Sequence, residues 1–290
     1  MKLEFLNMLR CPKSKQRLTL ESNLLVNEDR KYKYPIDNGV PRFVAKKNYA
    51  DSFGMQWNLY SKTQLDSYSG HNISASRFWK ATGWTEDEMR DKWVLDVGCG
   101  SGRFAEIALL AGAKVVALDY SSAVDACKSN FLNHPNLYVV QGDIYELPFE
   151  LEVFSFIYSL GVLQHTPNPK KAFNSLPLVL KKEGKICVDY YEKSWKSMLL
   201  PKYWLRPITK RIPNEKLFSF LQKVTPFLLF CSVLISKLPL IGSILKRIVP
   251  VANYCGILPL NVQQHREWAL LDTFDLLSPE HDHPQSSKTI

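Results

Sequence analysis

Between positions 93 and 191 the chain switches repeatedly between short unbroken apolar runs and stretches of helical spacing. The runs at 94–97, 114–119, 137–144, 154–159 and 184–191 are too short for buried helices and rich in β-favouring residues. Between them, 104–110 and 170–180 repeat apolar residues at helical spacing. Strand and helix in alternation predict a parallel α/β sheet. Upstream, 1–47 carries a short helical stretch, then brief alternating runs around 17–20, 24–26 and 34–43, the last holding an Asn38-Gly39 turn. This is a small, mostly β module.

The segment 48–92 reads as helical. Phe53, Trp57 and Tyr60 recur at i, i+4 and i+7, the spacing of a face packed on the domain, with a cover over a ligand as the sharper alternative. Another helix opens at 74–79, and Thr85 before Glu86, Asp87 and Glu88 is an N-cap pattern. Beyond 191, prolines at 201, 207, 213, 226, 239 and 250 are expected to cut a strongly apolar region into short helices. Its longest charge-free run, 224–236, falls short of the roughly 20 residues of a membrane span. A helix at 263–277 with Trp268, Leu271 and Phe274 follows, then a polar tail. There His281 and His283 are expected to face solvent rather than hold a metal. The units are therefore 1–47, 48–92, 93–191, 192–262 and 263–290.

The first strand runs into Asp96-Val97-Gly98-Cys99-Gly100-Ser101-Gly102. A dinucleotide fingerprint would space its third glycine one residue later and set a pyrophosphate on the helix N-terminus. A carboxylate just before the turn suits an ammonium-bearing ligand better. Asp119 ends the second strand about twenty residues on, where nucleotide-binding α/β folds place a carboxylate against ribose hydroxyls. Tyr120 beside it can pack on a base. Asp-x-Gly-x-Gly-x-Gly resembles motif I of the class I S-adenosylmethionine (SAM)-dependent methyltransferases, of the type 11/25-like kind.

That resemblance implies a Rossmann-like sheet with helices on both faces, SAM as cofactor with S-adenosylhomocysteine as product, and no metal. The cofactor residues it implies are Asp96, Gly98, Cys99, Gly100, Gly102, Asp119, Tyr120, Asp143, Ile144 and Leu160, with Asp143 accepting from the adenine amino group. Ser155 stands where the family usually has an acid. The family also continues past a fifth strand with a helix and two strands. No such strand pattern follows 279, so the terminal hairpin is expected to be incomplete, leaving the fifth strand at an edge.

Cys11-Pro12-Lys13-Ser14 resembles the Cys-Pro-x-Cys knuckle of the zinc-ribbon-like domains that precede some bacterial methyltransferases or activate tRNA methyltransferases in trans. With Ser14 in the second ligand position the module is expected to hold no zinc and to serve structure or docking. Methyl transfer is an in-line displacement in which alignment supplies much of the rate. Where a base is needed, His165 is the candidate, with Tyr190, Tyr191 and His265 behind it.

Charge sharpens the picture of the insert. Of the net +9, residues 193–250 hold eleven Lys and Arg against Glu215 alone, leaving the remainder near neutrality. A helical cap over the acceptor pocket, a lid docked on anionic membrane and an RNA-binding face compete for this segment. The expected acceptor is a small molecule, a sugar or a lipid-linked intermediate. The alternatives are an rRNA base methyltransferase and a non-catalytic partner protein. Six cysteines without paired spacing and an N-terminus lacking a signal-peptide apolar stretch lead to an expected cytoplasmic site, peripheral at the inner face of the membrane.

Overall fold

Alternate residues of the central strands point into two separate cores, and that division organises the molecule. The computed structural model describes residues 1–45, 47–191, 200–239 and 241–285. Among the described residues nine strands form two sheets. Strands β1 (Leu18–Glu21), β2 (Leu24–Asn27), β3 (Lys33–Asp37) and β4 (Val40–Pro41) make an antiparallel sheet in chain order. Asn38 and Gly39, both at positive φ, form its last turn. Strands β5 (Trp93–Val97), β6 (Lys114–Asp119), β7 (Leu137–Gln141), β8 (Phe154–Ser159) and β9 (Leu180–Val188) form a parallel sheet in the order β7-β6-β5-β8-β9. This is the α/β sheet expected from the alternation of runs.

On one face Val94, Val115, Ala117, Val139 and Tyr158 pack with the helices Ile73–Thr82 and Arg103–Leu110. On the other, Leu95, Val116, Tyr138 and Ile157 share a core with Phe5, Leu9, Leu25 and Ile36 of the N-terminal module and Ala172 of the Pro169–Ser175 helix. The module thus covers sheet that would otherwise be wet. Phe43 donates its amide to the Gln141 carbonyl at 2.8 Å, and Arg10 and Glu150 donate theirs to the carbonyls of Pro148 and Met8 at 3.0 and 2.8 Å. Tyr138 donates to Glu4 at 2.7 Å, and the Arg42 guanidinium reaches Gln141 and Asp125.

At the degenerate knuckle, Cys11 Sγ accepts from the Ser14 amide at 3.4 Å and lies 3.2 Å from the Tyr34 hydroxyl. Asn27 donates to Ser14 Oγ at 3.3 Å. Hydrogen bonds occupy the positions where a ribbon would carry ligands. Among the described residues no group of three or more His, Cys, Asp or Glu is placed to hold a metal.

Three expectations need correction. The helix near 170 ends at Ser175, passes through a 3-10 turn containing Pro177, and gives way to β9 at Leu180, so the fifth strand occupies 180–188 rather than 184–191. The prolines of the insert do not chop it finely. Pro207 lies inside the helix Pro201–Thr209, and Pro226 inside the 23-residue helix Asn214–Ser236. Burial of Leu217, Phe218 and Leu221 against Leu270, Phe274 and Leu277 of the helix Val262–Leu277 outweighs the hydrogen bond that Pro226 removes. By length and composition the Asn214–Ser236 helix is sufficient to cross a membrane, against the reading from the charge-free run alone. Third, the polar tail is docked through Asp282 and its backbone, while the His283 side chain is exposed as expected. Asp282 is buried between Lys202 and Arg206 at 3.2 and 2.5 Å, and the His283 amide donates to the Gln164 carbonyl at 2.8 Å. The apolar run at 195–199 lies outside the described residues.

Candidate active site

The carboxyl ends of β5, β6 and β8 open into a crevice of 320 Å³, closed from the other side by the helix Asp51–Leu59 and by the cap. Such a crevice lies where strand order reverses, on either side of the first strand. Gly98 and Gly100 turn the chain out of β5 at φ +79° and +53°. A Cβ at Gly98 would stand 2.4 Å from Val162 and one at Gly100 3.2 Å from the Trp57 indole, so only glycine lets the backbone floor the crevice.

Asp119 fastens this turn. It accepts the Gly100 amide at 2.9 Å and the Ser121 amide and hydroxyl at 2.8 and 2.7 Å. Tyr120 stacks on Tyr49 with ring centroids 4.7 Å apart, and both rings line the crevice. Cys99, Ile144, Leu160 and His165 line it as well. Phe53 and Trp57 also face inward, so their helix is a cover over the site, and only Tyr60 turns away, onto Phe218.

Other expected residues stand outside the lining. Asp96 is buried beneath the floor with Oδ2 unpartnered, and burial pushes its carboxyl up to about 8. Gly102 is a packing residue, since a Cβ there would meet Phe131 at 2.5 Å and Cys127 at 3.1 Å. Asp143 is turned to its own chain, its Oδ1 accepting the Tyr145 amide at 2.9 Å. Tyr190 is absent from the walls, and His265 accepts the Tyr254 amide at 3.0 Å instead of entering.

His165 is buried between Phe53 and Tyr191, with ring centroids 5.1 and 5.8 Å away. Its Nδ1 lies 3.1 Å from the His281 carbonyl, which can only accept, so the proton sits on Nδ1 and Nε2 carries the lone pair. Among the described residues that Nε2 has no partner, and burial lowers the imidazole to about 4, keeping it neutral at physiological pH.

The acceptor side was not foreseen. Gln64, Arg77, Arg103, Tyr254, Asp272 and Asp275 line it. Tyr254 donates to Asp272, and Arg103 donates to Gln64 and Ser74 at 2.9 Å each, its guanidinium 5.3 Å from the Trp268 ring centre. Burial pushes Asp272 and Asp275 each up to about 6. The signal lay in the sequence: two acids interrupt the largely apolar 268–277 stretch three residues apart, on one helix face.

A parallel sheet in this order, with a glycine turn fastened by a carboxylate at the adjacent strand end, has the arrangement of a class I SAM-dependent methyltransferase domain. Residues 95–188 match the family described as methyltransferase domain, and residues 2–39 match the family described as Trm112p-like protein. The chain therefore joins a Trm112p-like module to a methyltransferase domain of the kind that uses SAM.

Among curated relatives, the tRNA U34 carboxymethyltransferase of Ruthia magnifica subsp. Calyptogena magnifica is 29% identical over 106 residues, 35% of this chain and 33% of that one. The ubiquinone biosynthesis O-methyltransferase of Coxiella burnetii is 29% identical over 113 residues, 38% of this chain and 48% of that one. The chain thus spans between a third and a half of the length of these two relatives. The YcgJ protein of Bacillus subtilis shares 24% identity and a TM-score of 0.40, over 47% of this chain and 59% of that one.

Proposed function

We propose that the chain methylates a hydroxyl or amine of a small acceptor, with SAM as donor. The observation that carries this reading is the division of one crevice into two halves. The half at the strand ends is floored by Gly98 and Gly100 and edged by Asp119 and Tyr120. The half under the cap is walled by Phe53, Trp57, Tyr191 and Tyr254, with Arg77, Arg103 and the carboxylates of Asp272 and Asp275 among them. SAM, when bound, supplies a sulfonium-activated methyl group.

The chain's own residues fit that ligand and its partner. Asp119 and Tyr120, which line the strand-end half, fit its ribose and base. The aromatic walls exclude water and hold the acceptor in line. His165 lines the crevice, and its Nε2 lone pair is the acceptor of the proton that the nucleophile gives up. Asp272 and Asp275 hold the acceptor's polar end.

The Trm112p-like match and the tRNA-modifying relative favour a second reading, an RNA acceptor. Under that reading the protein would bind RNA with an affinity falling steeply with salt. Titration with S-adenosylhomocysteine tests the shared premise. Micromolar binding by the wild type and a loss of about tenfold or more in Asp119→Ala are expected. No binding by a folded wild type would overturn both readings.

A further inference from the structure

The helix Asn214–Ser236 is apolar on two sides, and only one of them is used. Leu217, Phe218, Leu221 and Leu229 are buried. At about 100° per residue, Phe220, Phe227, Phe230 and Leu234 fall together within roughly a quarter of the circumference on the other side. They are 60, 67, 60 and 49% exposed. Ile208 on the helix before and Ile244 and Ile248 on the segment after are exposed as well. Contiguous apolar exposure of this kind marks an interaction face rather than scattered surface residues.

Charge identifies the occupant. Lys216 and Lys223 lie on the same stripe as the phenylalanines by helical spacing, and both are exposed. Lys210, Arg211, Lys237 and Arg247, also exposed, flank it, while Glu215 is the one acid between 193 and 250. A second copy of the chain seated here would bring these cations against their own duplicates. A surface that is greasy at its centre, negative at its plane and indifferent to shape satisfies both features.

We infer that this face docks in the plane of an anionic lipid bilayer. The phenylalanines and Leu234 enter the boundary between headgroups and acyl chains, and the lysines pair with the headgroups. The same geometry rules against a transmembrane course: the opposite side of the helix is committed to Leu270, Phe274 and Leu277, and leaving them would open the cap.

The test uses the full chain with vesicles of phosphatidylcholine alone and of equimolar phosphatidylcholine and phosphatidylglycerol, read by co-sedimentation at low and high salt. Wild type is expected to partition onto the anionic vesicles, and to leave them as salt rises. Phe227→Ser/Phe230→Ser and Lys216→Glu/Lys223→Glu should each lower that partition about tenfold or more. Both should keep a wild-type circular dichroism spectrum, because none of the four side chains is buried. A wild type that stays in the supernatant with anionic vesicles overturns the inference, as does a serine variant that sediments like wild type. Sedimentation velocity without lipid adds a third arm: self-association abolished by Phe227→Ser/Phe230→Ser would assign the face to a second copy and overturn the membrane. No methyl donor is present, so failure here leaves the methyl-transfer reading untouched.

Discussion

Asp272 and Asp275 stand on one face of the Val262–Leu277 helix, in a wall that mixes aromatic rings with Arg77 and Arg103. Their carboxyls, at about 6 against an ordinary 3.8, bind protons in the folded protein that the unfolded chain has already released between about pH 4 and 6. The stability this brings is present at acid pH and lost as pH rises through about 6. His165, lowered to about 4, acts in the opposite sense over the same window, so a difference against wild type isolates the carboxyls. Asp272→Asn/Asp275→Asn should therefore exceed wild type in stability by about 2–4 kcal/mol at pH 8. The gap should narrow as pH falls below 6, measured by urea unfolding across pH, and the same variant should lose methyl transfer. A gap that is flat with pH would contradict the assignment.

At the level of elements, the long cap helix carries a proline that its neighbours override. Pro226→Ala restores an interior backbone donor and should raise stability by about 1–3 kcal/mol, read as a higher thermal midpoint. A fall would mean that the proline fits a bend on which the packing depends. The outermost strand, β9, has no strand partner on its far side among the described residues, and exposed Lys181, Lys182 and Glu183 on it blunt the edge with charge.

These elements also mark the limits of the sequence reading. The strands β5 to β8 and the turn at Gly98 and Gly100 were legible because burial on both faces leaves unbroken apolar runs and because sharp turns demand glycine. The helix through Pro226 was not, since local propensity argues against it and only contact with a segment some fifty residues later decides it. How the wall under the cap assembles was illegible for the same reason: the two acids of its last helix show in the sequence, but Arg103 follows the glycine turn, and nothing local announces that it meets Asp272.

Across the whole molecule, the N-terminal module and the parallel sheet have no separate interiors. Phe5 is 3% exposed, and its ring centre lies 4.8 Å from that of Tyr138 on β7. Phe5→Ala should cost about 3–5 kcal/mol. Unfolding should remain a single transition when followed by probes in either part. Separate transitions would show that the shared core couples them less than its packing indicates.

One consequence follows from the short connection between that module and the helix that begins at Asp51. Docking of the module on β7 is intramolecular, so it is governed by an effective concentration set by the tether and not by cellular abundance. Two separate polypeptides with the same interface would fall apart when scarce. A tethered pair holds its one-to-one stoichiometry at any dilution, and no free pool of module exists to be shared with another enzyme.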